Sequence, residues 1–206
     1  MATIKGREDQ MNRAYGSLLA QASIDTITVY DSPREGREDD ARKFLGEPES
    51  GYMLTVDDDL IYPPDYAETM INHLDRLRAI HGPCAISLMG RVIKGQCSSY
   101  YNDRVNAFKY DWRDHDEATH RIHIPGTGVF AYHTDDVRFT MDDFPQQNMA
   151  DIMVGVKCNA LGIPLFRVSP PRSKWIKAQD VPDSIWDRDH MNDNVHTDII
   201  NKIKWK

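Results

Sequence analysis

Residues 51–56 (GYMLTV) form an apolar run of the kind that is buried on both faces of a sheet, and the run ends directly in Asp57-Asp58-Asp59. Three adjacent carboxylates repel one another and cannot enter a core. The strand therefore ends there, and that local conflict is the most informative feature of the sequence. Around it the chain alternates. Residues 2–4 read as a first strand, and Met11, Tyr15, Leu18, Leu19 and Ala22 recur at helical spacing. Residues 24–30 (IDTITVY) are β-branched and run into a turn at Asp31-Ser32-Pro33, and the charged stretch 34–43 leads from a loop into a short helix. After the acidic cluster, Pro63-Pro64 opens a helix whose apolar face is Tyr66, Met70, Leu74 and Leu77. This β-α-β-α-β-α order predicts an α/β fold, a mixed but mostly parallel sheet flanked by helices, with ligands beyond the carboxyl ends of the strands.

The second half changes character. Residues 84–89 (CAISLM) read as a strand ended by Gly90, whereas 92–124 break into short alternating stretches with charged turns, the pattern of β-hairpins. Pro125-Gly126-Thr127-Gly128 is a tight turn before a strand at 129–132. Met149, Ile152, Met153 and Val156 stripe a helix that ends near Gly162, residues 164–168 form the last strand, and 195–205 form a final helix. The 206 residues suit one domain, 1–206, with a nucleotide-binding half over about 1–90 and an acceptor half over about 91–206; a cut from a longer polypeptide with other domains stays open.

Composition excludes several classes. The net charge of −7 argues against a protein that grips nucleic acid by neutralising phosphates. No apolar run approaches the roughly 18 residues of a transmembrane segment, and the charged N-terminus lacks the apolar stretch of a signal peptide, so a cytoplasmic location is expected. Cys84, Cys97 and Cys158 are odd in number and widely spaced, which reads as reduced thiols.

On an extended chain Asp57 and Asp59 face the same way, so both reach one Mn²⁺ or Mg²⁺ with room left for diphosphate oxygens. An acidic turn capping the following helix is the alternative. A helix-loop-helix calcium site fails, because Ile61 replaces a ligand and Tyr62-Pro63 the required glycine. Asp151 lies about 160° from the centre of its helix's apolar stripe, near the helix start, where it either faces a ligand or complements the helix dipole. His115, His120 and His123 have a spacing that suits a metal, though solvated turn positions account for them better. Trp175 and Trp186 offer faces for a sugar or anchors for the C-terminal segment.

The segment YMLTVDDDLIYPPDY resembles the acidic signature of the GT-A glycosyltransferases, especially the inverting, family-two-like enzymes. Three further pieces resemble that family in the same order over residues 2–170: TIKGREDQMNRAYGSLLAQ, IPGTGVFAYHTD and FPQQNMADIMVGVKCNALGIPLF. The resemblance implies a Rossmann-like nucleotide-diphospho-sugar transferase that moves a hexose or deoxyhexose such as rhamnose, from a UDP-sugar, to a glycan or glycoprotein hydroxyl with inversion. It implies Thr3, Arg7 and Asp31 around the nucleotide base and phosphates, with Lys43 a weaker phosphate candidate. It places Asp58 on the ribose, Asp59 on the metal and Asp57 as second ligand or its support. Gly126 and Gly128 let backbone approach the donor sugar, or simply form a turn. It implies Asp151 as the general base; His133 either lines the sugar pocket or ends its strand, and His190 and His196 sit where some relatives keep a late metal ligand. Two alternatives stand beside it: a sugar nucleotidyltransferase, whose long glycine-rich basic loop is missing after the first strand, and a non-catalytic nucleotide- or glycan-binding module.

Overall fold

Residues 1–4, 7–32, 40–116, 118–181 and 191–206 are described in the computed structural model. Ala2–Ile4 (β1) and Tyr30–Ser32 (β2) pair in parallel with Thr3 opposite Asp31, and Glu8–Leu19 (α1) connects them. The second strand is thus displaced from 24–30 into the expected turn. A strand exists only where a partner runs, and Met1 sets the offset: its ammonium donates to the Thr28 carbonyl, and its own carbonyl accepts the Tyr30 N–H. Of the charged stretch, Ala41–Phe44 forms a 3₁₀ turn, and residues 33–39 lie outside the described residues.

Tyr52–Val56 (β3) ends at the aspartates as expected, followed by the short Leu60–Ile61 (β4) and by Tyr66–His81 (α2), which buries Tyr66, Met70, Leu74 and Leu77. Ala85–Ser87 (β5) follows. Gly90 opens a new strand, Gly90–Ile93 (β6), instead of closing the previous one. A methyl group there would meet the Ile124 carbonyl oxygen at 2.8 Å, so the residue is small because another strand crosses it closely. The hairpin pattern holds in part. Gly90–Ile93 pairs antiparallel with Ala107–Tyr110 (β7) and with Ile124–Pro125 (β9), while His120–Ile122 (β8) joins the main sheet.

The main sheet corrects the expectation of mostly parallel strands. Its order is β3, then Val129–His133 (β10), then β5, then Leu165–Arg167 (β11), then β8. Only the β5–β11 ladder is parallel; the three others are antiparallel, two because β10 enters between β3 and β5 in the opposite direction and the third because β8 runs against β11 at the edge. Both faces are covered. Phe130 and Tyr132 of β10 join a cluster with Ala150–Leu161 (α3), while Val129 and Ala131 join one with α1 and α2. That alternation onto two cores explains why β10 reads as an unbroken apolar run.

Helix α3 buries more of its circumference than one stripe, including Ala150, Val154, Gly155 and Cys158. Gly155 permits this: a methyl there would sit 2.5 Å from the His123 carbonyl oxygen and 3.2 Å from the Ile124 Cα. Those atoms are backbone and cannot rotate away, so Gly155→Ala is expected to destabilise the fold by about 1–3 kcal/mol through overpacking, despite alanine's better helix propensity. Denaturant unfolding checks this; an unchanged midpoint would contradict it. Gly162 ends α3 in the left-handed region at φ 72°, as the sequence predicts. The chain closes with Lys177–Ala178 (β12), antiparallel to β4, and with Asn194–Lys202 (α4). No helix among the described residues is long and apolar enough to cross a membrane, and the three cysteines are free and buried.

Candidate active site

A cavity of about 640 Å³ opens where β3 ends, lined on one side by Arg7, Lys43, Asp57, Asp58, Asp59 and Asp151. The acidic turn is anchored through its backbone. The Asp57 N–H donates to the Tyr62 hydroxyl (2.8 Å), and that hydroxyl donates to the Gly128 carbonyl (2.7 Å), tying the acidic turn to the glycine turn. Gln179, just after β12, donates through its N–H to the Asp59 carbonyl (2.7 Å) and through its side-chain amide to the Asp58 carbonyl (3.0 Å). With its main chain held on both sides, the turn presents its carboxylates without having to order them on binding.

Each carboxylate meets a different environment. Asp57 receives the ammonium of the buried Lys43. Asp58 is buried and paired with Arg7 at 3.2 Å, so the two residues read separately as ribose and phosphate contacts begin as partners of each other. Asp59 is pushed up to about 7, by burial first and then by the charges of Asp57 and Asp58. Burial alone would lower the Lys43 ammonium, but the Asp57 and Asp40 carboxylates more than reverse it and hold it charged. Among the described residues no three carboxylate, imidazole or thiol groups converge as a closed metal cage. Mg²⁺ and Mn²⁺ beside a diphosphate need none, since one or two carboxylates, phosphate oxygens and water complete the shell. Asp57 and Asp59 fit that donor set, and the raised Asp59 is a carboxylate whose ionisation a cation would favour.

Asp151 sits in the first turn of α3. Its Oδ1 accepts from the Thr127 N–H (2.7 Å) and the Thr127 hydroxyl (2.6 Å), so Asp151 is bonded directly to the glycine turn. That turn is fixed in its own right: the Thr55 hydroxyl donates to the Thr127 carbonyl (2.6 Å) and the Ser87 hydroxyl to the Gly126 carbonyl (2.9 Å). Burial raises the Asp151 carboxyl above its ordinary range, while the Thr127 hydroxyl and the Lys43 charge hold it back. The sequence alone does not single out Thr127 or Tyr62 as site residues. For Thr127 the available signal was a hydroxyl residue between two glycines.

The glycines divide. Gly126 lines the cavity, with Met89 over the space where its side chain would be; Gly128 instead makes room for Asp57, whose carboxyl oxygen lies 2.1 Å from where a methyl would stand. Thr3 and Asp31 are brought opposite each other on β1 and β2; their side chains lie outside the described residues, as do Trp186 and His190. Trp175 is buried beside Tyr66 with its indole N–H donating to Asp65 (3.0 Å), so it anchors the C-terminal segment and offers no sugar platform. The three hairpin histidines are separated by their partners. His115 contacts the Pro170 carbonyl, His120 pairs with Asp116, and His123 Nδ1 accepts the Ile93 N–H. His133 packs edge-on against Tyr52, and buried His196 lines the cavity stacked on Tyr100.

Asp40 is a cavity residue that sequence reasoning missed. Its Oδ2 accepts the Ala150 N–H (3.1 Å), while its buried Oδ1 has no partner among the described residues. Burial pushes it up to about 7, against the lowering charge of Lys43. A carboxyl raised in the folded state contributes stability that is fully present below its unfolded value near 4 and is lost as pH rises through about 7. Asp40→Asn keeps an oxygen for Ala150 and removes this titration. Its melting temperature should therefore rise relative to the unsubstituted protein between pH 5 and pH 8, and parallel profiles would refute the assignment. No protein-family model matches this chain, and no curated protein matches it.

Proposed function

We propose that this chain is a metal-dependent, inverting glycosyltransferase of the GT-A type, with a uridine-linked nucleotide sugar as donor and a glycan or glycoprotein hydroxyl as acceptor. One observation carries the reading: a single cavity brings the aspartates at the end of β3 together with Lys43 and, from the far half of the chain, Asp151. Asp57 and Asp59 are the residues to hold Mn²⁺ or Mg²⁺, whose contribution when bound is to offset charge on the departing nucleoside diphosphate. Asp58 and Arg7 turn from their mutual pair toward the ribose and phosphates, and Thr3 and Asp31 border the base. Asp151, oriented by Thr127, takes the acceptor's hydroxyl proton as that oxygen bonds to the anomeric carbon and the bond to the diphosphate breaks. The displacement is direct, so the configuration inverts and no covalent sugar–enzyme species forms.

The test is a panel of UDP-, GDP- and dTDP-linked hexoses and deoxyhexoses, UDP-glucose and dTDP-rhamnose included, incubated with Mn²⁺. Release of nucleoside diphosphate from one donor supports the proposal. Pyrophosphate release from a nucleoside triphosphate and a sugar 1-phosphate would make the chain a nucleotidyltransferase, and UDP binding without turnover would make it a binding module.

A further inference from the structure

The cavity has a second wall, and its charge is opposite. Arg91, Lys109 and Arg113, on and just after the β6–β7 hairpin, line it together with Tyr101 and Trp112, whereas the acidic wall sets Asp40, Asp57, Asp58, Asp59 and Asp151 against Arg7 and Lys43. Arg91 and Lys109 are directly opposite each other across the antiparallel ladder, so two like charges share one face of a two-strand pairing. Such a pair is destabilising by itself, and a local penalty of that kind marks positions kept for a ligand.

The hairpin neutralises the pair only in part. Asp111 partners Lys109 at 3.2 Å and Arg113 at 3.1 Å, one carboxylate for two cations. Arg91 has no carboxylate within ion-pair distance among the described residues. Its guanidinium carbon lies 4.5 Å from the Tyr100 ring centroid and 5.7 Å from that of Tyr101, and the group donates to the Ala107 carbonyl at 3.3 Å. These contacts limit the freedom of the guanidinium, whose remaining donors suit a carboxylate or phosphate.

We propose that this wall is an anion-recognising acceptor subsite, and that the acceptor is a sugar bearing an oxyanion, a carboxylate or a phosphate, held by Arg91 and Lys109 beside the Tyr101 ring. The inference rests on the glycosyltransferase reading for the word acceptor; the preference for a charged sugar does not depend on it. The arrangement also separates the two substrates, since an anionic acceptor is repelled from the aspartates and drawn to the hairpin.

The experiment is calorimetric titration at low salt, with and without saturating UDP and Mn²⁺, using methyl β-D-glucuronide, glucose 6-phosphate and methyl β-D-glucoside as probes. At least one charged sugar should bind about tenfold or more tightly than the neutral one, and which of the two does so names the anion. Arg91→Gln should erase that preference and Arg91→Lys should keep part of it. Lys109→Gln, at a half-exposed side chain, should weaken the charged probe alone. UDP affinity should stay within about twofold in all three variants, because the donor lies on the other wall. Equal binding of charged and neutral sugars would overturn the proposal, as would a loss of UDP affinity in Arg91→Gln, which would give these cations to the donor diphosphate. Failure of UDP to bind at all would count against the transferase reading and leave the charged-sugar comparison to be read by itself.

Discussion

Asp151→Asn is expected to slow sugar transfer by about 10² or more while leaving donor affinity and folding nearly unchanged. The substitution keeps an oxygen for both Thr127 contacts, so the loop geometry survives, and only the capacity to accept a proton is removed. If Asp151 served the helix dipole alone, the Asn variant would turn over normally and lose at most about 1 kcal/mol of stability. The pH profile gives a second readout. The base must be ionised to act, and burial raises the Asp151 carboxyl, so the acid limb of the rate should lie above the ordinary carboxylate range and should disappear with the Asn variant. Steady-state rates at saturating acceptor, read beside a melting curve, decide the matter. Near-normal turnover in a folded variant would remove Asp151 from the mechanism.

Asp59→Ala is expected to abolish the Mn²⁺-dependent part of UDP binding. Without a cation, Asp59 is a half-buried carboxyl raised to about 7 by desolvation and by Asp57 and Asp58, so its removal relieves repulsion and the apo protein should melt no lower than before. The linkage has a definite sign: a group raised in the folded state destabilises the fold as pH climbs through about 7. The variant should therefore gain most over the parent at pH 8, and Mn²⁺ should narrow the gap by stabilising the ionised Asp59 in the parent alone. A folded variant that binds UDP as well as the parent does in the presence of Mn²⁺ would remove Asp59 from the metal site.

Much of this site was legible before any coordinates, because its signal is local. An apolar strand that ends in three carboxylates identifies its own exposed end, and a carboxylate opposite a helix's apolar stripe identifies the side that does not pack. What could not be read is whatever depends on partners far away in the chain. The run VFAY announces a strand covered on both faces but carries no direction, so the reversal of β10 between β3 and β5, and with it the mainly antiparallel pairing, was hidden. The Asp58–Arg7 and Asp57–Lys43 pairs, the Tyr62 bridge and the hold of Thr127 on Asp151 all join residues from different elements. Arg91 and Lys109 look like scattered charges until strand register sets them side by side. Gly128 was recognised as a position that must be small, but the group needing its space is the Asp57 carboxylate and not a ligand.

In the proposed mechanism the end of β3 binds a nucleoside diphosphate through a divalent cation. Calorimetric titration of the full chain with UDP, with Mn²⁺ and again with EDTA, tests it most directly. Saturable one-to-one binding is expected with Mn²⁺, weakening by at least about tenfold with EDTA, since the diphosphate would then face Asp57, Asp58 and Asp59 without a bridging charge. Equal affinity in both conditions, or no binding in either, would contradict it.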